Sequence, residues 1–207
     1  MALRRWTWIL SGLCLASIAQ AAEPGFVPLF NGRDLSGWDG DLTLWKVVDG
    51  MIVGDSPGIK HNQFLKTKRS YEDFELRLEF RLKGGVGNSG VQFRSKSVEN
   101  STEVSGYQAD LGENYWGCLY DESRRNKTLA QADPKLKDVL NKDGWNDYVI
   151  RADGNRITLA INGVTTVDYR EEEAGIPRAG ILALQVHSGP PLRVEFRNIR
   201  ILELNRN

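Results

Sequence analysis

The chain has 207 residues, and its 27 Lys and Arg balance its 27 Asp and Glu, so the formal net charge is zero. A balanced charge lacks the basic surplus that nucleic-acid binding requires, and we predict no nucleic-acid partner. The length allows one domain with a sizeable hydrophobic core.

Residues 1–22 have the pattern of a signal peptide. Arg4 and Arg5 form a positive n-region, residues 6–18 are an apolar run, and positions 19–21 are a cleavage site of the A-x-A type. The apolar run is too short for a bilayer span. We therefore predict an exported protein, periplasmic or secreted, with no membrane attachment after the signal is removed.

A single cysteine, Cys118, follows the predicted signal peptide. The mature chain therefore has no internal disulfide, although an exported protein would permit one. Cys118 lies in a strand-like run, and we interpret it as a structural residue rather than a nucleophile.

Turn signals divide the mature chain into short segments. Asp49-Gly50 and Asn162-Gly163 are typical of two-residue hairpins, because both turn positions require a positive φ. The clearest strand covers residues 74–82, where apolar and charged residues alternate strictly. This period of two predicts one face on a core and the other in water.

Further strands are predicted at residues 44–48, 51–54, 88–95, 145–152, 156–161, 164–169, 180–187 and 192–204. The last strand changes its apolar phase, which predicts a bulge near Arg197-Asn198. Asp133–Leu140 is the helical candidate, since Asp133 can cap and Pro134 suits the first helical position. We predict a two-turn surface helix there.

Many short strands with almost no helix indicate the all-β class and a β-sandwich or barrel. Neither repeats nor linkers interrupt the mature sequence. We assign residues 23–207 to a single β-sandwich domain.

Three predicted strands interrupt their apolar pattern in the same way. Residues two apart share a strand face, which pairs Gln92 with Arg94, Gln108 with Asp110 and Gln185 with His187. If these strands are neighbours, their polar faces form one patch. A lone histidine is more often structural, and Arg94 and Asp110 can form a simple ion pair, but the repetition on three strands favours a site.

The stretch from Gly106 to Thr128 adds further polar and aromatic residues to this patch. Glu122 supplies a carboxylate, and Arg124 and Arg125 can fold over it from the following loop. Four aromatic side chains, Tyr107, Tyr115, Trp116 and Tyr120, can form sugar-stacking platforms, although aromatics in sandwiches are usually core. The spacing predicts no metal site and no cofactor, with a calcium ion held by loop carboxylates left open.

Six ordered motifs resemble the 3-keto-disaccharide hydrolase family, over Phe26 to Leu204: FVPLFNGRDLSGW, YEDFELRLEFRL, GNSGVQFR, GYQAD, DGWNDYVIRADGNRITLAINGV and VEFRNIRILEL. The resemblance implies a concanavalin A-like jelly roll of the lectin and glucanase type, with its site on the concave face. Laminarinase-like glycosidases of this architecture carry acids on the corresponding strand. Gln108 stands where such an acid is expected, which disfavours an ordinary two-carboxylate glycosidase.

A 3-keto sugar allows elimination, because the ketone acidifies the hydrogen at C2 and a base can then expel the group at C1. Water adds to the resulting enone. The site needs a base, a group for the enolate oxygen and an acid. We assign Asp110 or His187 as the base, Arg94 to the enolate oxygen, and Glu122 or the other titratable group as the acid.

The predicted substrate-binding residues are Gln92, Gln108, Gln185, Tyr107, Trp116, Arg124 and Arg125. The predicted partner is therefore a small sugar, and the oligomeric state is open. The alternative is a non-catalytic, lectin-like carbohydrate-binding domain, since one architecture serves both functions. Clustered ionisable groups favour the enzyme.

Overall fold

The computed structural model describes residues 23–204, so the predicted signal peptide lies outside the described residues. No helix within that range is long and apolar enough to cross a membrane. The strands in chain order are β1 Val27–Pro28, β2 Trp38–Asp39, β3 Trp45–Val48, β4 Met51–Ser56, β5 Gln63–Tyr71, β6 Phe74–Leu82, β7 Asn88–Ser97, β8 Val104–Gly112, β9 Leu119–Glu122, β10 Lys127–Ala130, β11 Asn146–Asp153, β12 Arg156–Ile161, β13 Val164–Arg170, β14 Gly180–Val186 and β15 Leu192–Glu203.

The strands form two antiparallel sheets, as predicted for an all-β sandwich. One, the β6 sheet, has the order β13-β12-β11-β6-β15-β4-β3, with β1 added on β15. The other, the β8 sheet, has the order β10-β9-β8-β7-β14-β5-β2. The strands β7, β8 and β14 are therefore neighbours, which the sequence pattern alone did not establish.

The alternation of β6 builds the core between the sheets. Its apolar residues, such as Leu76 and Leu78, are buried, while the intervening charged residues are half-buried. The same core cluster contains Tyr107, Ala109 and Leu111 of β8. Because side chains alternate along a strand, the polar residues of β8 must face away from the core.

The charged face of the β6 sheet forms ion pairs across its strands. Arg197 on β15 pairs with Glu79 on β6 at 2.6 Å, and Arg151 on β11 pairs with Glu75 on β6 at 3.1 Å. These exposed or half-buried pairs belong to a solvated face, which agrees with its sequence interpretation.

The predicted hairpins and bulge are confirmed. Asn162 and Gly163 both have positive φ, at 49° and 80°, in the turn between β12 and β13. The register of β15 against β6 shifts between Arg197 and Arg200, and Asn198 has a φ of 54°. The sequence signals therefore located these backbone features correctly.

The predicted two-turn helix is wrong in length and type. The segment forms a 3₁₀-helix over Pro134–Asp138, which Asp133 caps by accepting a hydrogen bond from the Lys135 amide. Leu136 is buried, and the Asp133 amide donates to the Thr166 carbonyl oxygen at 2.9 Å. The helix ends at Val139, which has a φ of −122° and whose carbonyl oxygen accepts a hydrogen bond from Asn162 Nδ2 at 2.8 Å.

A bulge in β7 changes the direction of Arg94. Both neighbours of this strand shift register there, β8 between Phe93 and Lys96 and β14 between Ile181 and Ala183. Arg94 has a φ of 47°, so the simple alternation of the strand ends at this residue.

Candidate active site

A polar cavity of about 180 Å³ opens on the outer face of the β8 sheet. We call it the acid cavity. Its lining residues are Asn62, Asn88, Gln108, Asp110, Tyr115, Tyr120, Glu122 and His187. It therefore brings together three of the four predicted catalytic residues, Asp110, Glu122 and His187.

The floor of the acid cavity follows from strand register. Gln92 lies opposite Gln108, and Gly90 lies opposite Asp110, across β7 and β8. Gly90 is required, since a Cβ there would come within 2.5 Å of the Gln108 side chain. The missing side chain gives Gln108 the space to lie beside Asp110.

A chain of hydrogen bonds runs along this floor to Asp110. The Ser95 hydroxyl donates to Gln92 Oε1 at 2.9 Å, Gln92 Nε2 donates to Gln108 Oε1 at 2.7 Å, and Gln108 Nε2 donates to Asp110 Oδ1 at 2.7 Å. We call this the amide relay. It occupies Oδ1 of Asp110 and leaves Oδ2 to carry a proton.

Asp110 is a buried carboxyl group whose negative charge would be stabilised by the hydrogen bond from Gln108. Its side chain has 3% relative exposure, and burial raises its pKa well above the usual range. The Gln108 hydrogen bond lowers the pKa and the Glu122 charge raises it, but burial dominates. Asp110 therefore holds a proton far more readily than an exposed aspartate does.

Glu122 has a raised pKa for a similar reason. Burial is the largest cause, and the nearby charge of Glu103 raises the pKa further, while His187 lowers it. Hydrogen bonds from Ser123 also lower it. A carboxyl group with this shift can act as a proton donor closer to neutral pH.

His187 follows β14 at the rim of the acid cavity. Its Nδ1 lies 2.6 Å from the Ser188 carbonyl oxygen. A carbonyl oxygen only accepts hydrogen bonds, so Nδ1 carries the hydrogen and the neutral ring has an unprotonated Nε2. That nitrogen is available as a proton acceptor.

Gln92 and Gln185 are less accessible than predicted. Gln92 is fully buried within the amide relay, so its role is to orient Gln108. Gln185 is also fully buried, and neither of its amide atoms has a hydrogen-bond partner among residues 23–204. Both lie outside the lining of the acid cavity, whereas the third predicted glutamine, Gln108, is one of its lining residues.

The structure does not bring Arg94 to the acid cavity. Its guanidinium donates to the Glu72 carbonyl oxygen at 2.9 Å, the Gly154 carbonyl oxygen at 2.7 Å and Asp73 Oδ1 at 2.7 Å. The bulge in β7 is the physical reason, because it turns the side chain away from the face of Gln92. The expected contact between Arg94 and an enolate oxygen at Asp110 is wrong.

Tyr107, Arg124 and Arg125 also lie elsewhere, in an ion-pair network that we call the end cluster. Tyr107 faces the core side of β8 and donates its hydroxyl hydrogen to Glu171 at 2.6 Å. Arg124 and Arg125 both bind the buried Asp121, and Arg125 also pairs with Glu171 at 2.6 Å. With Arg94 and Asp73, these residues form the end cluster.

Trp116 packs on the core as well, with its ring stacked on Phe80 at 6.2 Å between centroids. Of the four aromatics considered as stacking platforms, Tyr115 and Tyr120 line the acid cavity. Tyr120 precedes Glu122 by two residues, and this spacing on one strand face was a signal that the sequence offered. Asn62 and Asn88 gave no comparable signal.

Among residues 23–204, no group of three or more His, Cys, Asp or Glu side chains is arranged to hold a metal ion. The Cys118 thiol is buried, and burial raises its pKa. It donates to Gln131 Oε1 at 3.2 Å. This environment does not generate a thiolate.

Comparison with known families gives one match, which covers most of the chain. Residues 25–202 match the model of the 3-keto-alpha-glucoside-1,2-lyase-like domain. No curated protein sequence matches the chain.

Solved structures of low sequence identity share the fold. A Parabacteroides distasonis protein provisionally described as a glycosyl hydrolase is 21% identical, with a TM-score of 0.69, and the match covers 87% of this chain and 94% of that one. The carbohydrate-binding module CBM66 of Bacillus subtilis is 17% identical, with a TM-score of 0.64 and coverage of 81% and 96%. A Bacillus licheniformis beta-glucanase is 12% identical, with a TM-score of 0.57 and coverage of 90% and 100%. The predicted jelly-roll class is confirmed.

Proposed function

The chain belongs to the 3-keto-alpha-glucoside-1,2-lyase-like domain family, and on that premise we propose that it cleaves 3-keto-glycosides by elimination across C1 and C2. The family supports a carbohydrate-related function, and structural neighbours described as glycosyl hydrolase and carbohydrate-binding module agree with it. Addition of water to the eliminated product would complete a net hydrolysis.

The observation that carries the proposal is that the acid cavity combines groups suited to donate protons with a group suited to accept one. Burial raises the pKa of both Asp110 and Glu122, so these carboxyls are suited to donate protons. His187 presents an unprotonated Nε2 in its neutral form. One proton acceptor and two proton donors are the set that elimination from a ketone needs.

His187 is the proposed base. Nε2 takes the hydrogen from C2, and the electron pair forms an enolate with the ketone oxygen on C3. Asp110, protonated on Oδ2, donates a hydrogen bond to that oxygen, which replaces the contact expected from Arg94. A short hydrogen bond to a developing charge in a buried site is an effective stabiliser.

Glu122 is the proposed acid. The enolate expels the oxygen at C1, which takes the proton of Glu122, and an enone with a C1–C2 double bond remains. Water then adds its oxygen to C1 and returns a proton to Glu122, while His187 returns its proton to C2. All groups regain their starting states.

The acid cavity also provides planar surfaces for a sugar ring. Tyr115 is 39% exposed at the cavity wall, and Tyr120 lies beside Glu122 on β9. Aromatic faces of this kind stack on the apolar faces of sugars, while Gln108 and Asn88 offer amide hydrogen bonds.

The test compares a 3-keto-α-glucoside with the same glucoside bearing a hydroxyl at C3, using the purified mature protein. We expect ultraviolet absorbance of the enone, loss of a C2 deuterium label from the keto substrate through exchange of the imidazole N–D with solvent before the proton is returned, and no turnover of the ordinary glucoside. Equal cleavage of both substrates would contradict the elimination mechanism, which requires the ketone at C3. Tight binding of sugars without any enone would support the carbohydrate-binding alternative.

A further inference from the structure

At the wall of the acid cavity, Asn62 makes contacts beside His187 that the sequence did not reveal. The Asn62 side chain connects two segments that are far apart in sequence. Its Oδ1 accepts a hydrogen bond from the Ser188 amide at 2.8 Å, and its Nδ2 donates to Glu103 Oε2 at 3.2 Å.

The segment after His187 is held on both sides of the carbonyl group that binds the imidazole. The Ser188 amide is fixed by Asn62, and the Gly189 amide donates to the Ile59 carbonyl oxygen at 2.8 Å. The Ile59 amide in turn donates to the Gly189 carbonyl oxygen at 3.1 Å. The Ser188 carbonyl oxygen therefore has a defined direction, and it points at Nδ1 of His187.

Glu103 fixes the other end of Asn62. The Glu103 carbonyl oxygen accepts from the Val98 amide at 3.0 Å, which closes the turn between β7 and β8. The Glu103 amide is bound by the Ser101 hydroxyl oxygen at 3.1 Å. A carboxylate on a closed turn accepts from the Asn62 amide nitrogen, so Oδ1 of Asn62 must face Ser188.

We propose that Asn62, oriented by Glu103, is a positioning residue that fixes neutral His187 as its Nδ1–H tautomer and presents Nε2 to the acid cavity. The role of Nε2 rests on the proposed function, whereas the tautomer does not. Hydrogen bonding at one ring nitrogen decides which nitrogen carries the hydrogen. Outer partners of this kind orient groups that touch the substrate.

The chain is well suited to a direct measurement, because it contains two histidines, His61 and His187. Long-range proton–nitrogen correlation spectra of the full mature protein, recorded where both imidazoles are neutral, report the tautomer without any substrate. A His61→Gln variant identifies the signals of His187. We expect a single Nδ1–H tautomer in the wild type.

Asn62→Ala is the main variant, and Glu103→Gln is its matched control. Asn62→Ala removes the hydrogen bond that the Ser188 amide donates to Asn62, so we expect a mixture of tautomers in which the Nε2–H form of His187 is populated. Glu103→Gln keeps an oxygen that accepts from Asn62 Nδ2, so the Nδ1–H tautomer should persist. A thermal melt of each variant checks that the fold is retained.

Activity provides a second measurement. On the 3-keto-α-glucoside, Asn62→Ala should lower kcat about tenfold and change KM less, because the base is misdirected while the proposed sugar contacts of Gln108, Asn88, Tyr115 and Tyr120 remain. An Nε2–H tautomer in the wild type, or an unchanged Nδ1–H tautomer in Asn62→Ala, would overturn the inference. A wild type with the Nδ1–H tautomer but no enone formation would overturn the proposed function alone.

Discussion

The acid cavity and the end cluster both contain buried carboxyl groups, and the pKa values of these groups are shifted in opposite directions in the two regions. In the end cluster, burial favours the neutral form of Glu171, but hydrogen bonds from Arg125 and Tyr107 outweigh it and lower the pKa to about 2. In the acid cavity, burial outweighs the hydrogen bonds and raises the pKa of Asp110 and of Glu122.

The two regions differ in whether a guanidinium group stabilises the negative charge of the buried carboxylate. Asp121 is fully buried and is bound by both Arg124 and Arg125. The acid cavity has no Lys or Arg among its lining residues. A buried carboxylate with a guanidinium is a structural ion pair, whereas buried carboxyls without one are poised to exchange protons.

The largest expected effect tests the base. His187→Gln keeps a polar side chain of moderate size but removes proton acceptance, so kcat/KM on a 3-keto-α-glucoside should fall by about 10²–10⁴-fold. His61→Gln is the matched control and should retain activity. Full activity in His187→Gln would move the base to another residue, with Asp110 the first candidate.

Breaking the end cluster should affect stability and not chemistry. Asp73→Asn removes the charge that faces buried Arg94, whose side chain and that of Asp73 are only 2% and 9% exposed. Loss of one partner from a buried pair costs about 3–5 kcal/mol of unfolding free energy, measured by urea denaturation. A large fall in kcat for the folded fraction, with stability unchanged, would place Arg94 in the reaction after all.

Gly90→Ala tests whether the packing of Gln108 on the floor of the acid cavity affects turnover. The new Cβ would lie 2.5 Å from Gln108 Cδ and must displace the amide from Asp110. A shift of about 1 Å at a catalytic group can cost up to about 10²-fold in turnover, so we expect a loss of roughly tenfold or more in kcat. A thermal melt checks that Gly90→Ala retains the fold, and wild-type kinetics in this variant would deny Gly90 its role.

Stability should depend on pH with opposite signs in the two regions. The pKa of Asp110 is raised on folding, so its contribution is present below the unfolded value near 3.8 and is lost as pH rises through the folded pKa. Asp110→Asn should therefore stabilise the protein at pH 8, by about 1 kcal/mol, with a smaller gain at pH 4.

Glu171 gives the contrasting case. Its pKa is lowered to about 2, so its contribution is present above the unfolded value near 4.5 and is lost as pH falls toward 2. Glu171→Gln should destabilise the protein at pH 7 and much less near pH 2. Differential scanning calorimetry from pH 2 to pH 8 checks both variants. If the stability difference from the wild type changed with pH in the way expected of one region for both variants, the distinction between the two regions would be lost.

The smallest expected effect concerns Glu103. Its charge raises the pKa of Glu122, second to burial, while His187 and the Ser123 hydrogen bonds act in the other direction. Glu103→Gln should lower that pKa and move the alkaline limb of the pH–kcat profile to lower pH, because the acid loses its proton earlier. An alkaline limb that moves to higher pH would contradict the assignment of Glu122 as the acid.

The sequence predicted the fold well because strand alternation and turn residues are local signals. Residues 74–82 and 156–161 form strands with the predicted bounds. The two-turn helix was wrong because the Asn162 side chain binds the Val139 carbonyl oxygen where the helix ends, and this long-range contact is not revealed by the capping residues.

The site was predictable only where alternation continued unbroken. Gln108 and Asp110 share the expected face, and β7, β8 and β14 are adjacent as the patch required. Arg94 and Gln92 do not share a face, because a bulge with a positive φ at Arg94 intervenes. Asn62 and Glu103 reach His187 through loops, and loop contacts have no sequence period.

The amide relay also has an electrical direction. In each of its hydrogen bonds the donor lies on the side nearer Ser95 and the acceptor on the side nearer Asp110. The side-chain dipoles of Gln92 and Gln108 therefore align head to tail, and hydrogen-bonded dipoles in such a row strengthen one another in a medium of low polarity. Their positive ends point at Asp110, so a fixed partial positive charge acts on its carboxyl group from along the floor of the acid cavity and leaves the open side of the cavity unblocked.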